Sequence, residues 1–325
     1  MMVPGTASRG VESTKDARAR LVAPPVVLCG SAHPELATAL ARQLGLALGP
    51  YGPQRFPDGE IYVEVGADVH ARHAILVQPT HQSGGEHLLE LLLMADACRR
   101  AGARAVTAVI PYVGYARQDH RTRSGQALGM RVVGELLSRE RFDHVIAVEL
   151  HAEAVEGFID APLEHVSAVP LLAEALRAHA GKGAVVVSPD LGAAKLAHEY
   201  ARILELPVAI VHKTRMSPTE VTVDRIIGDV GGLRPIIVDD MITTAGTMVA
   251  VARALLAAGC SREITAVATH ALLVSPAVDR LRAMGLHRLI VSNTVPSPKD
   301  LPFACDVVDV APLIASAVRR VCAVR

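Results

Sequence analysis

Short apolar runs of strand length alternate with helical patterns from one end of the chain to the other. That alternation predicts an α/β fold with mostly parallel sheets flanked by helices. Val26–Cys29 precedes a helix at Pro34–Leu44, and Ala74–Gln78 precedes a helix at Glu86–Ala101. In the second helix Leu88, Leu91, Leu92 and Ala95 share one apolar stripe. Further strands are expected at Ala105–Ile110, His144–Val148, Ala184–Ser188, Val208–Val211, Ile236–Val238, Ile264–Thr269 and Leu289–Ser292. Two stretches echo each other. A helix ending Arg100-Ala101-Gly102 leads to Thr107-Ala108-Val109, and one ending Ala257-Ala258-Gly259 leads to Thr265-Ala266-Val267. Two similar α/β domains in tandem would produce that echo, with the boundary between Ala161 and Pro170.

The run Pro235-Ile236-Ile237-Val238 reads as a buried parallel strand. Asp239 and Asp240 follow it, then the small-residue loop Thr243-Thr244-Ala245-Gly246-Thr247. Met248 to Ala258 favours helix and Gly259 stops it. A ligand site at the carboxyl end of a sheet has this form. Backbone N–H groups of Thr244 to Thr247 suit a phosphate, which the helix N-terminus also favours. The adjacent acids suit two neighbouring sugar hydroxyls, so the segment fits ribose 5-phosphate. The plainer reading is an acidic strand end capped by threonine.

Five other constellations are weaker taken singly. Phe56-Pro57-Asp58-Gly59-Glu60 is a tight turn into the alternating Tyr62-Val63-Glu64-Val65. Pro111 to Arg123 follows a strand and carries Arg117, Gln118, Arg121 and Arg123. It reads as a solvated loop, a nucleic-acid patch or a triphosphate site. His151, in Glu149-Leu150-His151-Ala152, is either a hydrogen-bonded structural group or a metal ligand. Asp190, where Val185–Ser188 turns towards a helix, is an N-cap or something more. Lys213 and Arg215, two apart after Val208–Val211, project the same way if extended.

Composition narrows the field. The 325 residues suffice for about two domains with cores of their own. Half are hydrophobic, yet no apolar run reaches the roughly 18 residues that span a bilayer. Leu88–Ala97 comes nearest and is broken by Glu90 and Asp96. Residues 1–22 lack the apolar stretch of a secretory signal and read as a disordered extension. A net charge of zero argues against nucleic acid as the main partner. Five cysteines without a CxxC spacing suit reduced thiols in a cytoplasmic protein.

Taken in order, these segments resemble the motif series of ribose-phosphate diphosphokinases, the phosphoribosyl-pyrophosphate (PRPP) synthetases. The similarity runs from about Val26 to Val310 and includes Gly157-Phe158, Ile226-Ile227-Gly228-Asp229 and Ser292-Asn293-Thr294-Val295-Pro296. The resemblance implies two tandem phosphoribosyltransferase-like domains, 23–165 on the ATP side and 166–325 with the sugar-phosphate loop and a catalytic flap. It implies Phe56, Asp58 and Glu60 near the adenine of an adjacent subunit's ATP, with Arg117 and Gln118 also on the nucleotide. Mg²⁺ would lie at His151 and Asp190, and ribose 5-phosphate at Asp239, Asp240 and Thr243 to Thr247. Lys213 and Arg215 match the family's catalytic pair, and a homo-oligomer with shared ATP sites follows. The flap Lys213–Glu220 looks closer to archaeal members. Ser124–Gly129 lacks the arginine and proline of the phosphate-activated, ADP-inhibited class, so the resemblance does not extend to that regulation. A phosphoribosyltransferase that consumes PRPP would share the 235–247 loop without needing Arg117-Gln118 or a second domain. A non-catalytic regulatory paralogue should have lost part of a set that is complete here.

Overall fold

The computed structural model describes residues 23–50, 52, 54–215, 221–297 and 299–322, with backbone alone at 213–215 and 221–224. The first half runs β1 (Val26–Cys29), α1 (Pro34–Leu44), the hairpin β2 (Gln54–Arg55) and β3 (Ile61–Tyr62), and β4 (His73–Val77). It continues through α2 (Gly84–Arg100), β5 (Ala105–Ile110), α3 (Gly129–Arg139), β6 (His144–Val148), a 3-10 turn at Glu153–Phe158, and β7 (Leu163–Val166). Its main strands form a five-stranded parallel sheet in the order β1-β4-β5-β6-β7.

The second half runs α4 (Val169–Arg177), β8 (Ala184–Ser188), α5 (Ala194–Leu204), β9 (Val208–Arg215), β10 (Val221–Ile227) and β11 (Arg234–Ile242). Then come α6 (Gly246–Ala257), β12 (Thr265–Ala271), α7 (Ala277–Ala283), β13 (Arg288–Ser292), β14 (Ala304–Val308) and α8 (Ala311–Cys322). This sheet has seven strands in the order β10-β9-β8-β11-β12-β13-β14, and only the β9–β10 pair is antiparallel.

The echo in the sequence has a geometric counterpart. Gly102 and Gly259 follow α2 and α6 with φ of 81° and 83°, a left-handed turn that glycine makes without a Cβ clash. Each turn then delivers the chain to the middle strand of the β4-β5-β6 or β11-β12-β13 trio.

Several elements differ from the expected ones. β11 does not stop at Val238 but runs on through Asp239 and Asp240 to Ile242. Pairing with β12 carries it there, with Asp239 opposite Ala268 and Ile242 opposite Ala271. The helix α6 starts two residues before the expected Met248. β9 continues past Val211 to Arg215 because β10 pairs along it. The alternating Tyr62–Val65 yields only Ile61–Tyr62, since that hairpin has no third strand to extend it.

Three apolar cores hold the layers. One lies between the sheets, where Val27, Ile75 and Ile146 meet Leu36, Leu172, Val186, Tyr200, Ile314 and Val318. Here α1 packs against α8, and α4 against α5. The last helix therefore crosses back: α8 rests on β6 and β7 of the first sheet. The outer faces are covered by α2 and α3, with Leu91, Met94, Val133 and Leu137, and by α6 and α7, with Val251, Leu255 and Leu281. All five cysteines carry free thiols, and four are buried. Among the described residues no helix is long and apolar enough to cross a membrane.

Candidate active site

The second sheet changes direction at β8. From there the chain winds outwards through β9 and β10, then returns to β8's other side as β11. The carboxyl ends of two strands at such a reversal frame a crevice. Asp190 follows β8, and Asp239 and Asp240 lie near the carboxyl end of β11, which runs on to Ile242, so three acids lie at this crevice. Asp190 accepts a hydrogen bond from Ala193 N–H at 3.0 Å, while its carbonyl accepts one from Ser188 Oγ at 2.6 Å. That bond closes a turn ahead of α5, whose N-cap is Ala193, so Asp190 is not the helix cap the sequence suggested, and its charge acts on Asp239. Burial, and then the neighbouring Asp240, push the Asp239 carboxyl well above the usual carboxylate range.

Asp240 takes the opposite direction. Burial alone would raise it, but His151 outweighs that and holds the carboxyl below its usual value. His151 Nδ1 and Asp240 Oδ2 are 2.6 Å apart, which joins the end of the first sheet to the end of the second. The bond to Asp240 raises the His151 pKa against the effect of burial, and Arg117 lies near enough to oppose the rise.

Glu149 sets the position of His151. Its backbone is left-handed, with φ of 44°, a conformation costing roughly 1–2 kcal/mol for a residue with a Cβ. Four hydrogen bonds hold it there, the first from its own N–H to the Val166 carbonyl at 2.9 Å. Its carboxylate accepts from Ser167 Oγ at 3.1 Å and Ala168 N–H at 2.9 Å, and its carbonyl lies 2.9 Å from His270 Nε2. Burial keeps the His270 pKa low, so the ring is neutral. A carbonyl only accepts, so Nε2 carries the proton and Nδ1 accepts from the Thr294 hydroxyl 2.8 Å away. Tyr112 packs edge-on against this ring at 4.9 Å between centroids, and Met241 and Val295 complete the floor. A narrow cleft opens above, lined by Tyr112, Ala116, Glu149, His151, Met241 and His270.

The loop after β11 carries Thr243, half-buried, and Thr244, exposed, then Ala245 in left-handed backbone at φ 58°. Gly246 and Thr247 open α6, whose first helical bond runs from Val249 N–H to the Ala245 carbonyl. A helix start favours an anion through its dipole, which gives this end of the crevice affinity for one. Arg117 and Gln118 are exposed on the loop after β5, where Met130 N–H ties back to the Gln118 carbonyl at 3.1 Å.

Other expected residues do not converge there. Phe56, Asp58 and Glu60 stand on the exposed β2–β3 hairpin, where Phe56 meets Tyr62 edge-on at 5.6 Å. The Glu60 carbonyl accepts from Phe56 N–H, and the Asp58 carboxylate from Glu60 N–H. Among the described residues no hydrogen bond or ion pair links this hairpin to His151 or the β11 acids. Lys213 and Arg215 lie in β9, opposite Val223 and Val221, but their side chains and flap residues 216–220 lie outside the described residues. Sequence reasoning missed Glu149 as an anchor, and His270, Tyr112 and Arg280, described below. A lone histidine in the apolar run Ala266–Ala271 is the one signal His270 gave.

A family model described as the N-terminal domain of ribose phosphate pyrophosphokinase matches residues 25–140. Another, the phosphoribosyl synthetase-associated domain, matches residues 214–324. A ribose-phosphate pyrophosphokinase from Gloeobacter violaceus is 43% identical over 294 residues, covering 90% of this chain and 88% of that protein. The chain belongs to the ribose-phosphate pyrophosphokinase family. A family member from Streptomyces coelicolor is 39% identical over 90% of this chain and 91% of its own length. The crystal structure of phosphoribosylpyrophosphate synthetase from Mycobacterium smegmatis superposes with a TM-score of 0.85 at 35% identity. The match covers 92% of this chain and 99% of that one, so the pyrophosphokinase fold extends across both sheets.

Proposed function

We propose that this protein is a ribose-phosphate diphosphokinase, moving the β,γ-diphosphoryl group of ATP onto ribose 5-phosphate to give PRPP and AMP. Family membership supports the reaction, and the His151–Asp240 bond is the structural observation that carries it. That bond puts a nucleotide-side group and a sugar-side group in direct contact. In this reading Thr243, Thr244, Ala245, Gly246 and Thr247 hold the 5-phosphate, and Asp239 and Asp240 accept from the ribose hydroxyls. Arg117 and Gln118 hold the nucleotide. Residues 23–165 then form the ATP side and 166–325 the sugar side, although α8 packs on the former.

Mg²⁺ is the metal the family implies. Among the described residues, no three His, Cys, Asp or Glu side chains cluster closely enough to enclose an ion. That suits Mg²⁺, which keeps waters and takes few protein ligands alongside substrate phosphates. His151 and Asp190 would hold it. With Nδ1–H donating its hydrogen bond to the Asp240 carboxylate, a neutral His151 would keep its lone pair on Nε2, and the carboxylate fixes the ring's orientation. The bound ion neutralises charge on the ATP phosphates.

The anomeric oxygen forms a bond to the β-phosphorus, the bond from that phosphorus to the α,β-bridging oxygen breaks, and AMP leaves. Such transfers rest chiefly on positioning and charge stabilisation; no residue stands out as an obligatory general base, and the hydroxyl proton passes to solvent. Lys213 and Arg215, on the flap strand, stabilise the charge that grows on the moving group. The β2–β3 hairpin serves a neighbouring subunit: Phe56 stacks by the adenine and Asp58 and Glu60 line its edge. Its exposure supports that role, and with it a homo-oligomer. Reduced thiols suit work in the cytoplasm.

The deciding assay supplies ATP, ribose 5-phosphate and Mg²⁺ and quantifies AMP and PRPP. Equal amounts of both products, abolished by a chelator, are expected. ADP as the product, or AMP without PRPP, would overturn the assignment.

A further inference from the structure

Arg280 lies 36 residues beyond the loop it touches, on a different helix. Its neighbours Ala277 and Leu281 are buried against α6, which fixes α7 and brings the guanidinium to the start of α6. There Nη1 donates to the carbonyl of Thr244 at 2.9 Å. A Cβ on Gly246 would lie 3.7 Å from the same nitrogen, so the guanidinium rests against that glycine's open side. The Thr244 carbonyl precedes the first acceptor of α6, so the helix itself gives it no partner. The next residue is Ala245, left-handed and without glycine's freedom. Asp279 is taken by Arg282 at 3.2 Å, and Arg280 has no carboxylate partner among the described residues.

We propose that Arg280 is a positioning residue for the sugar phosphate: by holding the Thr244 carbonyl outwards, it fixes the turn that aims the amides of Thr244 to Thr247 at a phosphate. The proposal deepens the ribose 5-phosphate reading and rests on it. A peptide unit places its C=O and the following N–H on opposite sides. Pinning the carbonyl of Thr244 therefore also sets the N–H of Ala245, the donor at the loop's sharpest point.

The test compares the parent with Arg280→Ala and Arg280→Lys in steady-state kinetics with each substrate varied. In Arg280→Ala, KM for ribose 5-phosphate should rise about tenfold, the scale of one charge-assisted hydrogen bond. KM for ATP and kcat should stay within about twofold of the parent. Arg280→Lys should recover part of the loss, since an ammonium reaches the carbonyl without the fork. Thermal shift with ribose 5-phosphate gives a second readout that needs no turnover. The parent should be stabilised at concentrations that leave Arg280→Ala unmoved, while the ligand-free midpoints stay close. If the parent makes PRPP and both variants match its KM for ribose 5-phosphate, the positioning role is wrong. Equal rises in both KM values would also overturn it. If the parent makes no PRPP and binds no ribose 5-phosphate, the functional reading fails instead.

Discussion

Glu149, Tyr115 and Ala245 all take left-handed backbone without being glycine, and all three lie in loops at the crevice. Strain of this kind persists where surrounding structure over-determines it, which is a mark of a working site. Charge is arranged with similar asymmetry. Asp239 resists ionisation because of burial and Asp240, whereas Asp240 is held ionised by His151. Asp239→Asn should therefore keep or raise the urea midpoint, because asparagine imitates the protonated acid. Asp240→Asn should lower the midpoint, at a cost of about 1 kcal/mol of stability, discounted because the His151 side chain is 38% exposed. In the Asp240 variant the His151 pKa should also fall, read by NMR titration. Both variants should raise KM for ribose 5-phosphate, and an unchanged value in each would leave the acids as strand caps. Lys213→Ala should reduce turnover roughly 10²–10³-fold with an unaltered thermal midpoint. A variant with half the parent's kcat would remove this lysine from the chemistry. The two acids and the small-residue loop after them could be picked out as a candidate site because they are contiguous in sequence. Glu149, His270 and Arg280 were not, since their meaning lies in partners 121 and 36 residues away.

At the scale of elements, the central parallel strands announced themselves because both faces are buried and each is a short unbroken apolar run. β7, β10 and β14 did not. Leu163-Glu164-His165-Val166 and Ala304–Val308 mix charged with apolar residues, as edge strands do. The hairpin β2–β3 gave a turn signal without a strand signal, and its four paired residues owe little to burial. Phe56, 49% exposed on it, is costly to keep in water unless something covers it. If a neighbour's ATP does so, two inactive proteins should repair each other. Phe56→Ala combined with Asp58→Ala damages the hairpin, and Lys213→Ala damages the flap. Mixed and allowed to exchange subunits, they should regain a measurable fraction of the parent rate. A mixture no faster than the sum of its parts would place hairpin and flap in the same subunit's site.

Five histidines titrate in one direction in mild acid. His33, His73, His81, His165 and His270 all have pKa values lowered, in each case first by burial, and His81 reaches about 4. The unfolded chain thus binds more protons than the folded one below the ordinary histidine value of about 6.5. Stability should be full above that value and fall as pH drops towards 4. His151 and the carboxyls of Asp239 and Glu149, with their pKa values raised, work in the opposite sense and offset part of the decline. Thermal midpoints should decline from pH 7 to pH 5, and His81→Gln should flatten the decline. A midpoint constant over that range would show that these rings are not kept neutral by the fold. The two-domain plan was readable from the echo of one half in the other, but the return of α8 was not, because a helix's apolar stripe does not say which sheet it will cover. That return has a consequence for synthesis. Residues emerge from the ribosome in order, so the first sheet is made early yet lacks the cover that Ile314 and Val318 provide. Until residues 311–322 arrive, β6 and β7 present bare apolar surface, a target for a chaperone or for another nascent chain. The earliest half of this protein is finished last.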